Sequence, residues 1–301
     1  MKSVAIIGGS GYTGGELLRI LMNHPEFEVE AVTSERFASK FVHSVHPNLR
    51  GATDLKFIGR DGLNGEYDLI FTAVPHGSAM KNMPEYVKLA DKVVDLSADF
   101  RLKTSDDYVK WYGHEHSCPD LLSKFVYGIA ELHRGEMKKA KYVSGAGCLA
   151  TSAILSLYPL VKNGLIETEN IVVDSKIGSS AGGNAPSLDS HHPERSGAVR
   201  SYKPTGHRHT AEMIQELTFA GKAPNISFTP HAIEMVRGIL STCHVRLKDA
   251  DIEDKDIWKA YRGVYDEEPF IRIVKDKQGV YRFPEPKILT GSNFCDIGFE
   301  K

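Results

Sequence analysis

A cysteine at the start of a predicted helix is the first residue whose surroundings suit covalent chemistry. Cys148 follows the turn Gly145-Ala146-Gly147 and precedes an apolar run, Leu149 to Asn163, that predicts a largely buried helix ending at Gly164. The positive end of a helix dipole lowers the pKa of a thiol, and the N–H groups there can stabilise an oxyanion. A small buried hydrophobic side chain is the alternative. The glycine turn favours a nucleophile, so we predict covalent catalysis through Cys148.

Two histidines on either side of an arginine are the predicted partners of this thiolate. They lie in the run Gly206-His207-Arg208-His209, where a helix from Thr210 to Ala220 is expected to begin. A thiolate nucleophile needs a general acid or base. His207 precedes the helix and can face a cleft, so we assign it this role. His209 is the second candidate, because a residue nearer the helix start can also act as a cap or an orienting group. No cysteine or histidine spacing is typical of a zinc site, so we predict no metal.

A glycine-rich turn near the amino terminus indicates a dinucleotide. The run GSGYTG from Gly9 to Gly14 matches G-x-G-x-x-G, follows the apolar run Val4 to Ile7, and opens a predicted helix. In that context the glycines permit a tight turn and let a pyrophosphate reach the N–H groups of the helix N-terminus. A strand–helix turn without a ligand is the alternative.

The residues after the second predicted strand indicate which dinucleotide the protein binds. Ser34, Glu35 and Arg36 follow the strand Glu28 to Val32. A carboxylate such as Glu35 suits the ribose 2′-hydroxyl of NAD, whereas a guanidinium beside a hydroxyl suits the 2′-phosphate of NADP. We predict NADP from Ser34 and Arg36. The alternatives are NAD, or an Arg36 that is only a solvated loop charge.

Alternating strands and helices must position these residues in the first half of the chain. A helix is predicted from Glu16 to Met22, ended by His24-Pro25. The predicted strands are Val4–Ile7, Glu28–Val32, Tyr67–Val74 and Lys92–Leu96. This alternation is typical of a parallel, doubly wound sheet.

The second half has a different pattern. A charged helix is predicted from Glu253 to Val264, and the stretch Gly178 to Arg208 is too long for an ordinary connection. Strands are predicted at Ile171–Val173, Asn225–Thr229 and Ile239–Leu247. We expect an α+β arrangement with mostly antiparallel pairing.

The composition excludes several classes of protein. The 301 residues are 41% hydrophobic and 25% charged with a net charge of −2, which excludes a disordered or collagen-like chain. We expect no nucleic-acid partner, and no membrane partner because no apolar run approaches the ~18 residues of a span. Glycines come too early for a signal peptide, and the four cysteines are scattered. We therefore expect a cytoplasmic protein of about two domains.

In order along the chain, the motifs resemble the N-acetyl-γ-glutamyl-phosphate reductases, which are close to the aspartate-semialdehyde dehydrogenases. The matching runs are GGSGYTGGELLR from Gly8, GCLAT from Gly147, HRHTAE from His207, FTPHAIEMVRGI from Phe228 and GSNFCDIGF from Gly291. Three more runs are most like the archaeal and thermophile branch: SSAGGN from Ser179, HHPER from His191 and SYKP from Ser201. Members of that branch reduce phosphorylated aminoadipate or glutamate attached to a small LysW-type amino-group carrier protein.

The resemblance implies a reductive dephosphorylation in lysine or arginine biosynthesis. Cys148 would attack an acyl phosphate, NADPH would reduce the resulting thioester, and the semialdehyde would leave, with His207 or else His209 as general acid/base. The family's nucleotide contacts correspond to Ser10, Gly11, Tyr12, Thr13, Ser34, Glu35, Arg36 and Asn293.

The resemblance also implies a fold and an assembly. The fold class is α/β and aspartate-semialdehyde dehydrogenase-like. A Rossmann-type NADP-binding domain would comprise residues 1–147 and 291–301, and an α+β catalytic and oligomerisation domain residues 148–290. The family typically forms dimers or tetramers, and it usually continues past Gly298-Phe299 with a further strand and a long helix.

A basic loop suggests how a carrier-linked substrate would bind. Between His191 and His209 there is a single carboxylate, Glu194, and the cations are Arg195, Arg200, Lys203 and Arg208. A small phosphorylated amino acid cannot occupy four cations along so long a loop, whereas an acidic carrier protein can. The alternatives are a solvated loop, or arginines that bind only the substrate's phosphate and carboxylate.

Three other functions remain open. The first is an N-acetyl-γ-glutamyl-phosphate reductase acting on the free acetylated substrate, whose usual motif is closer to P-G-C-Y-P-T than to the run at Cys148. The second is an aspartate-semialdehyde dehydrogenase, which does not share the HRHTAE run. The third is a non-catalytic dinucleotide-sensing protein, which would not need a cysteine nucleophile.

Overall fold

Parallel strands form the sheet of the amino-terminal half. The computed structural model describes residues 1–301, and the chain divides into two compact units, 1–146 and 147–301. The strands of the first unit are β1 (Lys2–Ile7), β2 (Phe27–Val32), β3 (Tyr67–Thr72), β4 (Ala90–Asp95), β5 (Phe125–Gly128) and β6 (Tyr142–Gly145). They pair in the order β2-β1-β3-β4-β6-β5, and every pair is parallel.

The apolar runs of the sequence form the centre of this sheet. Val4, Ala5 and Ile6 are completely buried, as expected of a strand covered on both faces. The helices of the first unit are α1 (Tyr12–Leu21), α2 (Ala79–Leu89), α3 (Ser105–Tyr112) and α4 (Ala130–Met137). The four strands expected in this half are present, and the predicted fold class is confirmed. β5 and β6 were not predicted, because each has only four residues of mixed polarity.

The second unit contains a mixed sheet. Its strands are β7 (Ile171–Ile177), β8 (Val199–Ser201), β9 (Ile226–Ile233), β10 (Ile239–His244), β11 (Ile271–Ile273) and β12 (Cys295–Ile297). Four of them pair in the order β10-β7-β9-β8. The expectation of mostly antiparallel pairing is wrong, since β7 and β9 are parallel, as are β11 and β12. A parallel pair needs a long crossover, and the chain between β7 and β9 provides it.

One long helix dominates the core of the second unit. The helices are α5 (Cys148–Lys162), α6 (His192–Arg195), α7 (His209–Glu216), α8 (Asp254–Tyr265) and α9 (Pro286–Leu289). Most residues of α5 are buried, and Gly164 follows it with a positive φ of 64°, as expected of a helix stop. None of the helices has both the length and the apolar character of a membrane span.

A tyrosine of α8 compensates for a proline inside α5, and a second tyrosine bonds the same turn. Pro159 has no N–H, so the carbonyl of Leu155, four residues earlier, lacks its helical donor. The hydroxyl of Tyr265 donates to that carbonyl at 2.7 Å, and the hydroxyl of Tyr261 donates to the carbonyl of Ser156 at 2.7 Å. The helix that carries Cys148 is thereby attached to α8.

The last residues of the chain lie in the second unit, not in the first as we expected for residues 291–301. β12 pairs with β11, and the ring of Phe299 stacks on that of Tyr261 with centroids 5.9 Å apart. The Lys301 ammonium donates to the carbonyl of Ile252 at 2.6 Å. These contacts attach the last residues to the second unit, which is why they do not belong to the first unit as we expected.

Candidate active site

Cys148 is the first residue of α5, and its side chain is exposed. Gly147 is the N-cap residue in extended conformation, with φ −67° and ψ 136°. Leu149 and Ala150, the next two residues, are buried and anchor the first turn of the helix. The thiol is therefore accessible, while the backbone that carries it is held in the core.

Gly147 packs directly against α7. Its N–H donates to Glu212 Oε2 at 2.8 Å. A Cβ on Gly147 would lie 2.6 Å from Glu212 Oε1 and 2.7 Å from His209 Nε2, so no larger residue fits. The side chains of Glu212 and His209 are both buried, and His209 Nε2 lies 3.8 Å from Glu212 Oε1. The structure thus brings His209 to the residue before the predicted nucleophile.

Glu212 is a site residue that we did not single out from the sequence. It occurs three residues after His209 in the HRHTAE run, a spacing that places two side chains on one face of a helix. This i, i+3 spacing from a candidate catalytic histidine is the signal that could have identified it.

His207 is held among aromatic rings. Its ring lies 4.7 Å from that of His209, 5.2 Å from Phe228 and 6.0 Å from Tyr202, in each case edge-on. Its Nδ1 accepts a hydrogen bond from the backbone N–H of His209 at 3.2 Å. A backbone N–H can only donate, so the neutral ring carries its proton on Nε2.

The surroundings of His207 also keep it neutral. Burial lowers its pKa to about 3, and the positive charges of His209, Arg208 and Lys203 act in the same direction. Burial disfavours the charged form of an imidazole, and nearby cations add repulsion. At physiological pH, His207 is therefore a hydrogen-bond donor through Nε2.

The four predicted cations of the basic loop differ in their surroundings. Arg200 and Lys203 are exposed, whereas Arg195 and Arg208 are half-buried. Arg200 donates to the carbonyl of Glu194 at 2.9 Å and lies 3.9 Å from Asp189 Oδ1. The four cations of the loop are therefore not equally exposed to solvent.

The remaining loop contacts involve a second carboxylate. Glu234 accepts hydrogen bonds from Ser196 Oγ and from the N–H of Gly197, both at 2.9 Å. These bonds lower the pKa of Glu234.

Lys203 has a positive φ of 45°, which is uncommon for a residue with a side chain.

The glycines of the first unit fit a dinucleotide turn. A Cβ on Gly9 would lie 2.2 Å from Val32 Cγ1, and one on Gly14 would lie 2.5 Å from the Gly9 Cα. Close packing of strand and helix therefore requires both glycines. A Cβ on Gly11 would meet no atom within 4 Å, although Gly11 is the N-cap residue of α1. Open space at a helix N-terminus is what a pyrophosphate requires, so these residues fit the group.

The predicted cofactor residues after β2 lie near that turn. Ser34 is buried, and its hydroxyl donates to Ser10 Oγ at 3.0 Å. Glu35 is exposed, and its carboxylate accepts the N–H of Arg60 at 2.8 Å. Arg36 is exposed and lies 5.1 Å over the ring of Phe37. Tyr12 and Thr13 are exposed at the start of α1, whereas Asn293 lies in the second unit.

A buried carboxylate network begins at the last residue of β4 and was not predicted. Asp95 is completely buried and accepts hydrogen bonds from the hydroxyl of Thr72 and from the N–H and hydroxyl of Ser97. Burial raises the pKa of Asp95 to about 6. Asp99 accepts the N–H groups of Gly77 and Met80 at 2.7 and 3.0 Å. The network joins the segments that follow β3 and β4.

No group of three or more histidine, cysteine or acidic side chains is arranged to hold a metal ion. The chemistry that the described geometry supports is that of a thiol at a helix start beside an imidazole pair.

Both units match known families. Residues 3–140 match "Semialdehyde dehydrogenase, NAD binding domain", and residues 148–301 match "Semialdehyde dehydrogenase, dimerisation domain". The structure is similar to an aspartate semialdehyde dehydrogenase from Candida albicans with NADP, at a TM-score of 0.70 and 14% identity, over 99% of this chain and 88% of that one. This likeness supports the fold.

Full-length relatives are much more similar in sequence. The "[LysW]-L-2-aminoadipate 6-phosphate reductase" of Deinococcus radiodurans is 52% identical, over 99% of this chain and 84% of the relative. The "[LysW]-L-2-aminoadipate/[LysW]-L-glutamate phosphate reductase" of Saccharolobus solfataricus is 47% identical, over 98% of this chain and 84% of the relative. The predicted class, an oxidoreductase that uses a nicotinamide dinucleotide, is confirmed. The chain belongs to the semialdehyde dehydrogenase family, and within it to the LysW-aminoadipate/glutamate phosphate reductases.

Proposed function

We propose that the protein reduces a carrier-linked aminoadipyl or glutamyl phosphate to its semialdehyde with NADPH, in lysine or arginine biosynthesis. The observation that carries this proposal is the exposed Cys148 at the start of α5, next to a glycine that is bonded to Glu212 and packed close to His209. The names of the relatives in Deinococcus and Saccharolobus support the substrate class.

The first step needs a thiolate and a leaving phosphate. The sulfur of Cys148 attacks the acyl carbon, an S–C bond forms, the C–O bond to phosphate breaks, and inorganic phosphate leaves. NADPH, when bound, would supply the hydride that brings the acyl group to the aldehyde level, and the S–C bond then breaks to release the semialdehyde. N–H groups at the start of α5 are suited to stabilise the oxyanion that develops on the acyl oxygen.

We assign different proton roles to the two histidines. His209 Nε2 lies 3.8 Å from Glu212 Oε1, so His209 is suited to take the thiol proton as sulfur attacks and to return it to the sulfur as the semialdehyde leaves. His207 is neutral, and its Nδ1 already accepts a hydrogen bond, so it is suited to donate through Nε2. From the sequence we had assigned the acid/base role to His207 and an orienting role to His209, and this proposal exchanges the two.

We infer NADP rather than NAD from the surroundings of Glu35 and Arg36. The Glu35 carboxylate is occupied by the N–H of Arg60, whereas Arg36 presents an exposed guanidinium. A guanidinium can form charge-assisted bonds to a 2′-phosphate. The groups proposed to hold the dinucleotide are Ser10, Gly11, Tyr12, Thr13, Ser34 and Arg36, all in the first unit.

We infer that an acidic carrier protein docks on the exposed part of the basic loop, at Arg200 and Lys203. We further propose a cytoplasmic homo-oligomer, a dimer or a tetramer. The second unit matches a dimerisation domain, and the proposed nucleophile requires a compartment that keeps thiols reduced.

The deciding experiment compares two acyl phosphates. NADPH oxidation by the purified protein is measured with carrier-linked aminoadipyl or glutamyl phosphate and with free N-acetylglutamyl phosphate. We expect a much higher kcat/KM for the carrier-linked substrate, and no turnover with either one in Cys148→Ser. Equal efficiency on the free substrate would make the protein an N-acetyl-γ-glutamyl-phosphate reductase. Dinucleotide binding without any reduction would indicate a sensing protein.

A further inference from the structure

A histidine from a distant segment bonds the glycine turn of the first unit. His46 lies between two short 3₁₀ helices, Val42–Ser44 and Pro47–Leu49, and its backbone N–H donates to the carbonyl of Val42 at 2.9 Å. Its ring Nε2 lies 2.8 Å from the carbonyl oxygen of Gly9, a residue 37 positions earlier in the chain. A carbonyl oxygen can only accept, so Nε2 carries a proton and donates. The sequence analysis did not single out this histidine.

The ring of His46 is also held against the helix that follows the turn. A Cβ on Gly15, in α1, would lie 2.6 Å from both Cε1 and Nδ1 of the ring, so the imidazole packs directly on the helix backbone. The ring of the completely buried Phe57 lies 6.3 Å from the imidazole, tilted by 59°. The imidazole is therefore fixed beside α1, with Nε2 directed at the turn before that helix.

The other groups of Gly9 are fixed by the neighbouring strand and helix. Its N–H donates to the carbonyl of Thr33 at 2.9 Å. Its Cα is packed so closely that a Cβ there would lie 2.2 Å from Val32 Cγ1, and a Cβ on Gly14 would lie 2.5 Å from that Cα. The carbonyl of Gly9 is the group that a side chain from outside β1, α1 and β2 holds.

The bond from His46 sets the direction of the next N–H group. The chain has no cis peptide bond, and in a planar trans peptide the carbonyl and the N–H point in opposite directions. Because the Gly9 carbonyl is turned toward His46, the N–H of Ser10 points away from it. Glycine permits many backbone conformations, so this peptide could rotate if its carbonyl had no donor. The Ser10 N–H is followed by the first N–H groups of α1, which have no acceptor within the helix.

We propose that His46 is a positioning residue that orients the peptide between Gly9 and Ser10 for the pyrophosphate of the dinucleotide. This inference rests on the proposed binding of a dinucleotide at this turn. The bond presents the Ser10 N–H to the phosphate oxygens and keeps the Gly9 carbonyl oxygen, which would repel them, turned away. Donors that are already in position lose less conformational freedom on binding, so a fixed turn binds the dinucleotide more tightly than a mobile one.

A ligand without a pyrophosphate separates this role from general stabilisation. Adenosine 2′-monophosphate contains the adenine and the 2′-phosphate of NADPH but no pyrophosphate, and calorimetric titration gives the Kd of both ligands. In His46→Leu we expect the Kd for NADPH to rise about three- to tenfold, as for the loss of one hydrogen bond, and the Kd for adenosine 2′-monophosphate to stay unchanged. The KM for NADPH should rise with its Kd, while kcat at saturating NADPH stays near that of the wild type. His46→Gln keeps a side-chain N–H donor and should recover most of the NADPH affinity.

Two further variants control for the packing of the segment. His43→Leu removes an imidazole of the same segment, whose ring stacks on Phe41 at 5.1 Å, and should leave both Kd values unchanged. Gly15→Ala retains His46 and favours the helix, but its methyl would lie 2.6 Å from the imidazole and should displace the ring from the Gly9 carbonyl. It should therefore reproduce the selective loss of NADPH affinity, and it keeps the test valid if His46→Leu does not fold.

The outcomes separate the role of His46 from the proposed function. Unchanged NADPH affinity in His46→Leu and Gly15→Ala would overturn the inference. Equal losses for NADPH and adenosine 2′-monophosphate would also overturn it, because the whole first unit would then be disturbed. No recovery in His46→Gln would show that the shape of the ring matters and not its donor. Absence of NADPH oxidation with either acyl phosphate in the wild type would refute the proposed function instead, and the titrations would still test His46.

Discussion

The N–H of Gly147 donates a 2.8 Å hydrogen bond to the buried carboxylate of Glu212, and this bond fixes the residue before Cys148 against α7. The carboxylate also lies 3.8 Å from His209 Nε2. One buried carboxylate thus positions the turn of the nucleophile and the imidazole proposed to serve it. Its burial is compensated by the hydrogen bond from Gly147 and by the neighbouring imidazole.

The close approach at Gly147 predicts a severe effect of the smallest substitution. In Gly147→Ala, the added methyl would meet Glu212 and His209 at 2.6–2.7 Å, so the turn or α7 must move. We expect a loss of unfolding free energy of about 1–3 kcal/mol and a large fall in kcat. Denaturant unfolding and NADPH oxidation measure the two effects. Gly135→Ala, in α4 with open space around its Cβ, is the matched control and should be neutral or slightly stabilising.

The two histidines should differ in their effect on the pH profile. His207 has a pKa lowered to about 3 and remains neutral above that pH, so it cannot produce an acid limb near neutrality. We expect His209→Ala to lower kcat/KM by about 10²–10⁴-fold and to remove the acid limb, as for loss of a general base. His207→Ala should retain the limb. The measurement is the profile of kcat/KM against pH for both variants. Loss of the acid limb in His207→Ala and its retention in His209→Ala would show that His207 is the base.

The sequence predicts features made by residues that are close together in the chain, and it does not predict contacts between residues that are far apart in the chain. The glycine turn at Gly9–Gly14 and the helix start at Cys148 are local features, because the residues that create them are neighbours in the chain. Glu212 acquires its role only when α7 packs against the turn at Gly147, and no local pattern marks such a contact. The mixed sheet was missed for the same reason, since the pairing of β7 with β9 depends on a connection of about fifty residues.

The cofactor assignment predicts unequal losses at Arg36. Only NADPH carries the 2′-phosphate, so Arg36→Gln should weaken NADPH binding by about 1.5–3 kcal/mol and NADH binding very little. Titration of cofactor fluorescence gives both Kd values. Glu35→Gln is the companion variant: its carboxylate contacts Arg60, so the variant should not selectively weaken NADH binding. Equal losses of both cofactors in Arg36→Gln, or a selective loss of NADH in Glu35→Gln, would favour NAD.

The buried carboxylate of Asp95 predicts a pH dependence of stability in the first unit. Its folded pKa, about 6, is higher than the ordinary value of 3.8 because burial disfavours the charge. Folding therefore gains from the protonated form, fully below about pH 4, and this contribution is lost as pH rises through about 6. The loss is on the order of 3 kcal/mol at most. Asp95→Asn keeps the shape without the charge, so its unfolding free energy should fall less than that of the wild type between about pH 4 and 8. A wild-type profile that rises over this range more than that of Asp95→Asn would contradict the assignment.

The exposed cations of the loop predict a salt-sensitive encounter with the carrier. Arg200 and Lys203 face solvent, and exposed charges are screened beyond about 8–10 Å at ~0.1–0.15 M salt. The apparent KM for carrier-linked substrate should therefore rise with ionic strength, mainly through slower association. Charge reversal in Arg200→Glu or Lys203→Glu should raise that KM at low salt and flatten its salt dependence, while NADPH binding stays unchanged. Arg246→Glu adds the same charge elsewhere in the unit and serves as the control. If all three variants shift the KM equally, only net charge matters, and the carrier docks on another surface.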